Sequence, residues 1–228
     1  MATDVLNQTF FGIYEFFANI IPGTVVLLTI LLMVDSQFFL PSSNTIITDG
    51  VFVVVFAFLA FIIGLAIQGI SSSIEKFMNN KKYGGYPSSL YLKEADNTFP
   101  KYFKNSIRDI TKEKFGTPAD APDDHIFDLC YSYVMQNKVS ERVPQFLRTY
   151  TFSRNMMVTV VIEAPFFFFM AYQQQQIWFL MAGLGFLSLS YVFYKRFLRY
   201  GESFAKEVFR SFFIDNATKE ASGGTKEE

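Results

Sequence analysis

The chain alternates long apolar runs with segments that concentrate its polar and charged residues. No Asp, Glu, Lys, Arg or His lies between residues 16 and 34 or between residues 50 and 74, and residues 155 to 194 contain a single one, Glu163. About 20 apolar residues cross about 30 Å of hydrocarbon as an α-helix. The pattern therefore predicts four transmembrane helices, at residues 12 to 34, 50 to 74, 155 to 172 and 177 to 194.

Composition supports a membrane location over a soluble one. Half of the 228 residues are hydrophobic, 29 are Phe, and only 18% are charged. Helices that are apolar all round can be buried inside large soluble proteins, but a chain of 26.2 kDa is too small to enclose four such runs. The first run is not a cleavable signal, because no basic residue precedes it and it is longer than a signal-peptide core.

The distribution of basic residues predicts the orientation. Of the 20 Lys and Arg residues, none lies before Lys76, 13 lie in residues 75 to 154, none in 155 to 194, and seven in 195 to 228. Cytoplasmic loops are enriched in Lys and Arg. We therefore expect both termini and residues 75 to 154 in the cytoplasm, most simply of a bacterium with this chain in its inner membrane. The connector after residue 34 and the QQQQ stretch at 173 to 176 then face outside, with Tyr172 and Trp178 at the outer interface.

The pattern of apolar and polar positions in residues 75 to 154 predicts a small cytoplasmic module of three helices. The first has Thr98 as a candidate N-cap and Gly116 just past its end. The second opens near Asp123, and the third begins near Ser140 and continues into the third crossing.

Residues 195 to 228 predict an amphipathic helix with Phe197, Phe204, Val208 and Phe212 on one face, followed by a disordered tail of about a dozen residues. This helix either lies in the headgroup layer or extends the fourth crossing as a stalk.

The expected fold is therefore an all-α integral membrane protein. It has four transmembrane helices, a small helical cytoplasmic module between the second and third, and a C-terminal amphipathic helix. The expected divisions are residues 1–74, 75–154, 155–194 and 195–228.

Glu163 is the most informative residue of the apolar runs. It lies nine residues beyond Arg154, about 13 Å along a helix and so near the middle of the bilayer. An intramembrane carboxylate is costly and usually faces the bundle interior. We expect Gln68, at a comparable depth, as its polar partner. Glu163 then either lines an ion or proton pathway, or is a protonated group that holds helices together.

Other residues of the apolar runs are candidate polar sites, hinges or close helix contacts. Glu15 and Asn19 lie one turn apart in the first crossing, and Glu15 is shallow enough to be a solvated interface residue. Pro165, Pro22 and Gly23 are candidate hinges, because proline removes a backbone hydrogen bond. Ala60 and Gly64 form a small-xxx-small pair, which is typical of close helix contacts.

The sequence disfavours an enzyme. His125 is the only histidine and Cys130 the only cysteine. The DDHIFD stretch, residues 123 to 128, fits the acidic first turn of a helix better than a metal site. No phosphate-binding loop, dinucleotide fingerprint, CxxC pair or HExxH motif occurs. We therefore predict no catalytic residue, no metal and no cofactor.

Basic clusters lie beside the ends of the apolar runs, and anionic lipid explains them without nucleic acid. They are Lys76, Lys81 and Lys82; Arg148 and Arg154; and Lys195, Arg196 and Arg199.

The opening YEFFANIIPG, the stretch SLYLKEADNTFPKYFKNSIRDITKEKFG and the later DLCYSYV and RTYTFSRN segments resemble a group of uncharacterised bacterial multi-pass membrane proteins, which have no assigned activity. The resemblance covers residues 10 to 160. In layout the chain is similar to small membrane effectors of prokaryotic defence systems, in which a cytoplasmic module governs a transmembrane bundle.

Two functions follow as hypotheses. In the first, the protein self-associates in the lipid bilayer as a gated pore or membrane effector subunit, controlled by its cytoplasmic module. In the alternative, the bundle is an anchor or scaffold that presents residues 75 to 154 to a soluble protein partner.

Overall fold

The computed structural model describes the backbone of residues 2–34, 46–118 and 120–223, and the side chains of residues 16, 18–33, 50–118 and 120–219. Seven α-helices make up this part of the chain. They are α1 (Ala2–Val34), α2 (Ile46–Tyr83), α3 (Pro87–Leu90), α4 (Lys101–Phe115), α5 (Asp123–Gln136), α6 (Arg142–Gln174) and α7 (Ile177–Gly223). No strand occurs among the described residues, so the all-α prediction is confirmed.

Three of these helices, α2, α6 and α7, are long and apolar enough to cross a membrane. The helix α1 contributes a shorter apolar stretch, Ala18–Met33. A continuous helix suits an apolar solvent because it satisfies its own backbone hydrogen bonds. The predicted hairpin is also present, since only Gln175 and Gln176 separate α6 from α7. Most of the predicted connector after residue 34 lies outside the described residues.

The chain divides into two compact units. The first, called here the apolar unit, comprises Met1–Glu75 and Arg148–Phe197. The second, called here the helical module, comprises Lys76–Leu147 and Leu198–Glu228. The long helices α2, α6 and α7 each contribute residues to both units.

The apolar unit exposes many large hydrophobic side chains. On α2 they include Val51, Val53, Val54 and Phe58, each more than 60% exposed. On α7 they include Ile177, Met181 and Val192. Such a surface is unfavourable in water and favourable against lipid chains. This pattern, together with the length of the helices, identifies the chain as a membrane protein.

The helical module has its own hydrophobic core, and α7 completes it. The sixteen buried residues of this core come from α4, α5, the segments beside them, the start of α6 and the C-terminal half of α7. Val208, Phe209 and Phe212 of α7 are all fully buried. The phenyl ring of Phe209 packs edge-on against Phe99 and Phe127, at 6.2 and 5.5 Å between ring centroids.

Of the two expected arrangements of the C-terminal helix, the extension of the fourth predicted crossing is the one present, because α7 is continuous from Ile177 to Gly223. The residues Val208, Phe209 and Phe212 of its apolar face pack in the module core and are not available to lipid. The expected disordered tail is partly wrong, because α7 remains helical to Gly223. Residues 224 to 228 lie outside the described residues.

The helix α4 ends where its sequence predicts. Gly116 follows α4 with φ of 65°, the left-handed conformation that favours glycine, and its N–H donates to the Lys112 carbonyl. The expected N-cap is wrong, because Pro100 occupies that position and Thr98 lies outside the helix. Asp123 and Asp124 fall in the first turn of α5, where acidic side chains are favourable.

A contrast between two residues of α7 tests the module core. Phe209→Ala should destabilise the module by about 3–5 kcal/mol, the usual cost of emptying a buried phenyl site. Ile214→Ala, on the same helix but 61% exposed, should change the free energy of unfolding of the module by less than about 0.5 kcal/mol.

Cys130 provides the measurement. Burial raises the pKa of its thiol to about 12, so the native protein should react very slowly with thiol reagents at pH 8, where only an opened module presents a reactive thiolate. Phe209→Ala should speed the reaction and Ile214→Ala should not. Equal rates in the two variants would show that α7 is not part of the core.

Candidate intramembrane polar site

A stripe of buried polar side chains runs along α6 inside the apolar unit. Asn155, Thr159 and Glu163 are spaced four residues apart, so they lie on one face over successive turns. All three are 0% exposed. The Thr159 hydroxyl donates to the Asn155 backbone carbonyl at 3.0 Å. The stripe therefore spans about 12 Å of helix, at 1.5 Å per residue.

One end of the stripe is bound to α2. The Ser71 hydroxyl donates to Asn155 Oδ1 at 2.6 Å, and both residues are 0% exposed. One residue earlier on α6, Arg154 forms a salt bridge with Glu75. The Tyr150 hydroxyl donates to the second Glu75 oxygen at 2.6 Å. These contacts set the register of the antiparallel helices α2 and α6.

This ion pair changes the interpretation of one basic cluster. The side chains of Arg154 and Glu75 are only 9% and 13% exposed, so Arg154 is not available to lipid headgroups as the sequence suggested. Removing one member of a buried pair typically costs about 3–5 kcal/mol, because the other charge is left without a partner. Arg154 and Glu75 therefore form a structural contact at the end of the polar stripe.

The other end of the stripe is Glu163. Neither of its carboxyl oxygens has a hydrogen-bond partner among the described residues. The Thr29 hydroxyl of α1 faces this carboxyl, although the two groups do not meet hydrogen-bond geometry. Thr29 is itself 4% exposed, and its hydroxyl donates to the Val25 carbonyl at 3.2 Å.

The expected partner Gln68 lies at a different level. It precedes Ser71 by three residues, about 4.5 Å along α2, whereas Glu163 lies eight residues, about 12 Å, beyond Asn155 along α6. Because the two helices are antiparallel and Ser71 contacts Asn155, Gln68 falls roughly five residues short of Glu163. Its backbone carbonyl accepts a hydrogen bond from the Ser72 hydroxyl.

The helices α1 and α2 approach each other backbone to backbone. A β-carbon added to Gly23 would lie 1.7 Å from the Ala60 carbonyl oxygen, and one added to Gly64 would lie 1.9 Å from the Asn19 carbonyl oxygen. Ala60 is 0% exposed. The predicted small-xxx-small pair is therefore a contact surface, and Gly23 has a packing role in addition to its proposed role as a hinge.

The remaining candidates occupy different environments. Asn19 is buried, at 7% exposure, and Pro22 is buried beside it within the continuous helix α1. Pro165 lies within α6 but is exposed. Glu15 belongs to α1, but its side chain is outside the described part of the structure.

Sequence reasoning missed four polar residues of this site. Asn155 and Thr159 carried a usable signal, since they precede Glu163 at intervals of four. Ser71 and Thr29 carried none, because Ser and Thr are common in transmembrane helices and only packing brings these two against α6.

No group of three or more His, Cys, Asp or Glu side chains within the described ranges is placed to hold a metal ion. Asp123 of the DDHIFD stretch forms a salt bridge with Arg108. No protein-family model, curated protein or solved structure matches the chain.

Two glycines of α2 test the α1–α2 contact. Gly64→Ala should weaken it by about 1–3 kcal/mol, because the added methyl group meets backbone atoms that cannot move aside. Gly69→Ala is the control, since nothing lies within 4 Å of a β-carbon at that position. Unfolding of the detergent-solubilised variants by added denaturing detergent measures the difference. Equal loss of stability in both variants would contradict the contact.

Proposed function

We propose that the chain is a self-associating membrane protein of the bacterial inner membrane that forms a gated pore, or the pore-forming subunit of a membrane effector, under the control of its helical module. The observation that carries this proposal is the buried polar stripe of Asn155, Thr159 and Glu163. Polar groups inside an apolar bundle are costly, and they commonly mark pathways for ions or protons.

The arrangement of the stripe suits a pathway that is closed in this conformation. Glu163 and Thr159 have no exposed surface, and the stripe ends at the salt bridge of Glu75 with Arg154. Opening requires α6 to separate from α1 or α2. The helices α2 and α6 both continue into the helical module. A ligand or partner that binds the module would therefore displace α2 and α6, and with them the residues of the stripe.

Self-association is supported by the surfaces of α2 and α7. In the most apolar 18-residue stretch of each helix, the buried share is 17% for α2 and 6% for α7, compared with 56% for α6. A single chain also encloses the stripe without an exposed path along it, since Asn155, Thr159 and Glu163 are all 0% exposed. Several chains around an axis would provide the missing walls.

We propose four crossings, with α1 as the first. The uncharged stretch from residue 16 to residue 34 would extend about 28 Å as a helix, close to the hydrocarbon thickness of about 30 Å. Four crossings place both termini on one side, and the basic residues favour the cytoplasm for that side and for the module. The function we propose is not enzymatic.

The topology is tested with cysteines placed at exposed positions in a Cys130→Ala background. In that background any label reports the introduced cysteine, because Cys130 is the only native cysteine of the sequence. In intact cells, an impermeant thiol reagent should label Gln174→Cys. It should label Glu113→Cys, on the exposed face of α4, only after the membrane is permeabilised. The reverse pattern would overturn the orientation.

The pore is tested by ion flux in proteoliposomes across a range of pH. Glu163→Gln should change the flux and remove its pH dependence in the range where Glu163 titrates, because an amide cannot release a proton. Glu113→Gln, an exposed carboxylate of the module, is the matched control and should behave as the wild type. Thr159→Val should lower flux by making the stripe apolar.

Mass photometry of the protein in nanodiscs supplies the second readout. A closed assembly of defined number supports the pore. Unchanged flux in Glu163→Gln, or no flux from the wild type with any ligand or membrane potential tried, contradicts it.

A membrane anchor is the second candidate, and the complete hydrophobic core of the helical module favours it. A module that folds around sixteen buried residues can present a defined surface to a soluble partner. A monomer in nanodiscs, with Glu163→Gln retaining partner binding, would support this role. The polar stripe would then serve only helix packing.

A further inference from the structure

Glu163 presents an electrostatic problem that the rest of the apolar unit does not solve. Its side chain is 0% exposed, and neither oxygen has a hydrogen-bond partner among the described residues. An ionised carboxylate in such a place needs a cation or several donors. The whole sequence has no Lys, Arg or His in residues 1 to 75 or 155 to 194.

The ionisable groups on the neighbouring helices do not supply a counter-charge. On α6 itself, Arg154 is nine residues away, about 13 Å, and is paired with Glu75 of α2. Along α1 the flanking ionisable residues are the acids Glu15 and Asp35. The α7 residues that titrate within residues 177 to 194 are the tyrosines Tyr191 and Tyr194, which become negative when they ionise.

Thr29 is the hydroxyl group that lies close to Glu163. It donates to the Val25 carbonyl at 3.2 Å, and its lone pairs can at the same time accept a hydrogen bond from a carboxylic acid. One hydroxyl group does not replace the cation or the several donors that an ionised carboxylate needs in a buried site.

We propose that Glu163 is a proton-binding site: in the closed bundle its buried carboxyl carries a proton, for which Thr29 Oγ1 of α1 is the nearby acceptor. This inference rests on the proposed pore and names the proton as the ligand of its buried site. Loss of the proton leaves an anion without a cation, so the contact between α1 and α6 must open or admit water. Opening of the stripe is thereby coupled to proton release.

Infrared spectroscopy of the full-length protein in nanodiscs tests the site without measuring flux. A protonated carboxyl has a C=O stretching band well separated from those of ionised carboxylates and amides. At pH 7 the wild type should show this band, and Glu163→Gln should lack it. Raising the pH of the wild type should remove the band, a test that requires no substitution.

Thr29 variants test the partner. Thr29→Val keeps the shape of the side chain but cannot accept a hydrogen bond, so the band should move to higher frequency. Thr29→Ser restores the acceptor and should return the band to its wild-type position, which also controls for misfolding.

Two results would overturn the site. One is the absence at pH 7 of any protonated-carboxyl band that depends on Glu163, and the other is a band that Thr29→Val leaves in place. The pore fails independently: a Glu163-dependent band that shifts in Thr29→Val supports the proton site even if no flux is found.

Discussion

The buried contacts between α2 and α6 are the constraint on which the rest of the apolar unit depends. The bond from Ser71 to Asn155 and the salt bridge of Glu75 with Arg154 can form in only one register of these antiparallel helices. Buried polar partners are costly to separate, since each leaves an unsatisfied group behind. That register determines which α6 residues lie at which depth, and it places Glu163 about 12 Å beyond the last strong polar contact.

The two ends of the polar stripe differ in how well they are satisfied. At Asn155 the side-chain carbonyl oxygen has a donor from α2 and the nearby charge of Arg154 is balanced by Glu75, although the Asn155 amide nitrogen has no partner among the described residues. At Glu163 neither carboxyl oxygen has a hydrogen-bond partner among the described residues. Polar contacts between α2 and α6 hold the stripe at Asn155, whereas no such contact holds it at Glu163. We therefore expect the helices to separate first near Glu163. This asymmetry joins the proposed pore to the proposed proton site.

The helical module shows how one helix can serve two environments. The N-terminal half of α7 exposes large apolar side chains suited to lipid, whereas its C-terminal half buries Val208, Phe209 and Phe212 in a protein core. Three short helices alone bury little surface. The additional helix completes the core of the module.

The predictions succeeded where a local pattern was sufficient. The α6–α7 hairpin, the continuation of the third module helix into α6 and the end of α4 at Gly116 each depend on neighbours in the sequence. The prediction of a disordered tail failed because residues 217 to 223 look polar and solvated in isolation, yet they extend a helix anchored by buried residues before them. Thr98 failed as an N-cap for a similar reason, since the chain enters α4 through Pro100.

The sequence by itself determined that the apolar runs of this protein lie in a lipid bilayer, because uncharged runs of membrane-spanning length have no other stable environment in so small a chain. It also determined that Glu163 has no cation within the apolar runs. Only the tertiary structure decided which groups face that carboxyl: Thr29 in place of Gln68, with Ser71 at the far end of the stripe. The physical reason is that depth follows from counting residues along one helix, whereas contact depends on the register and rotation of two helices, which packing alone sets.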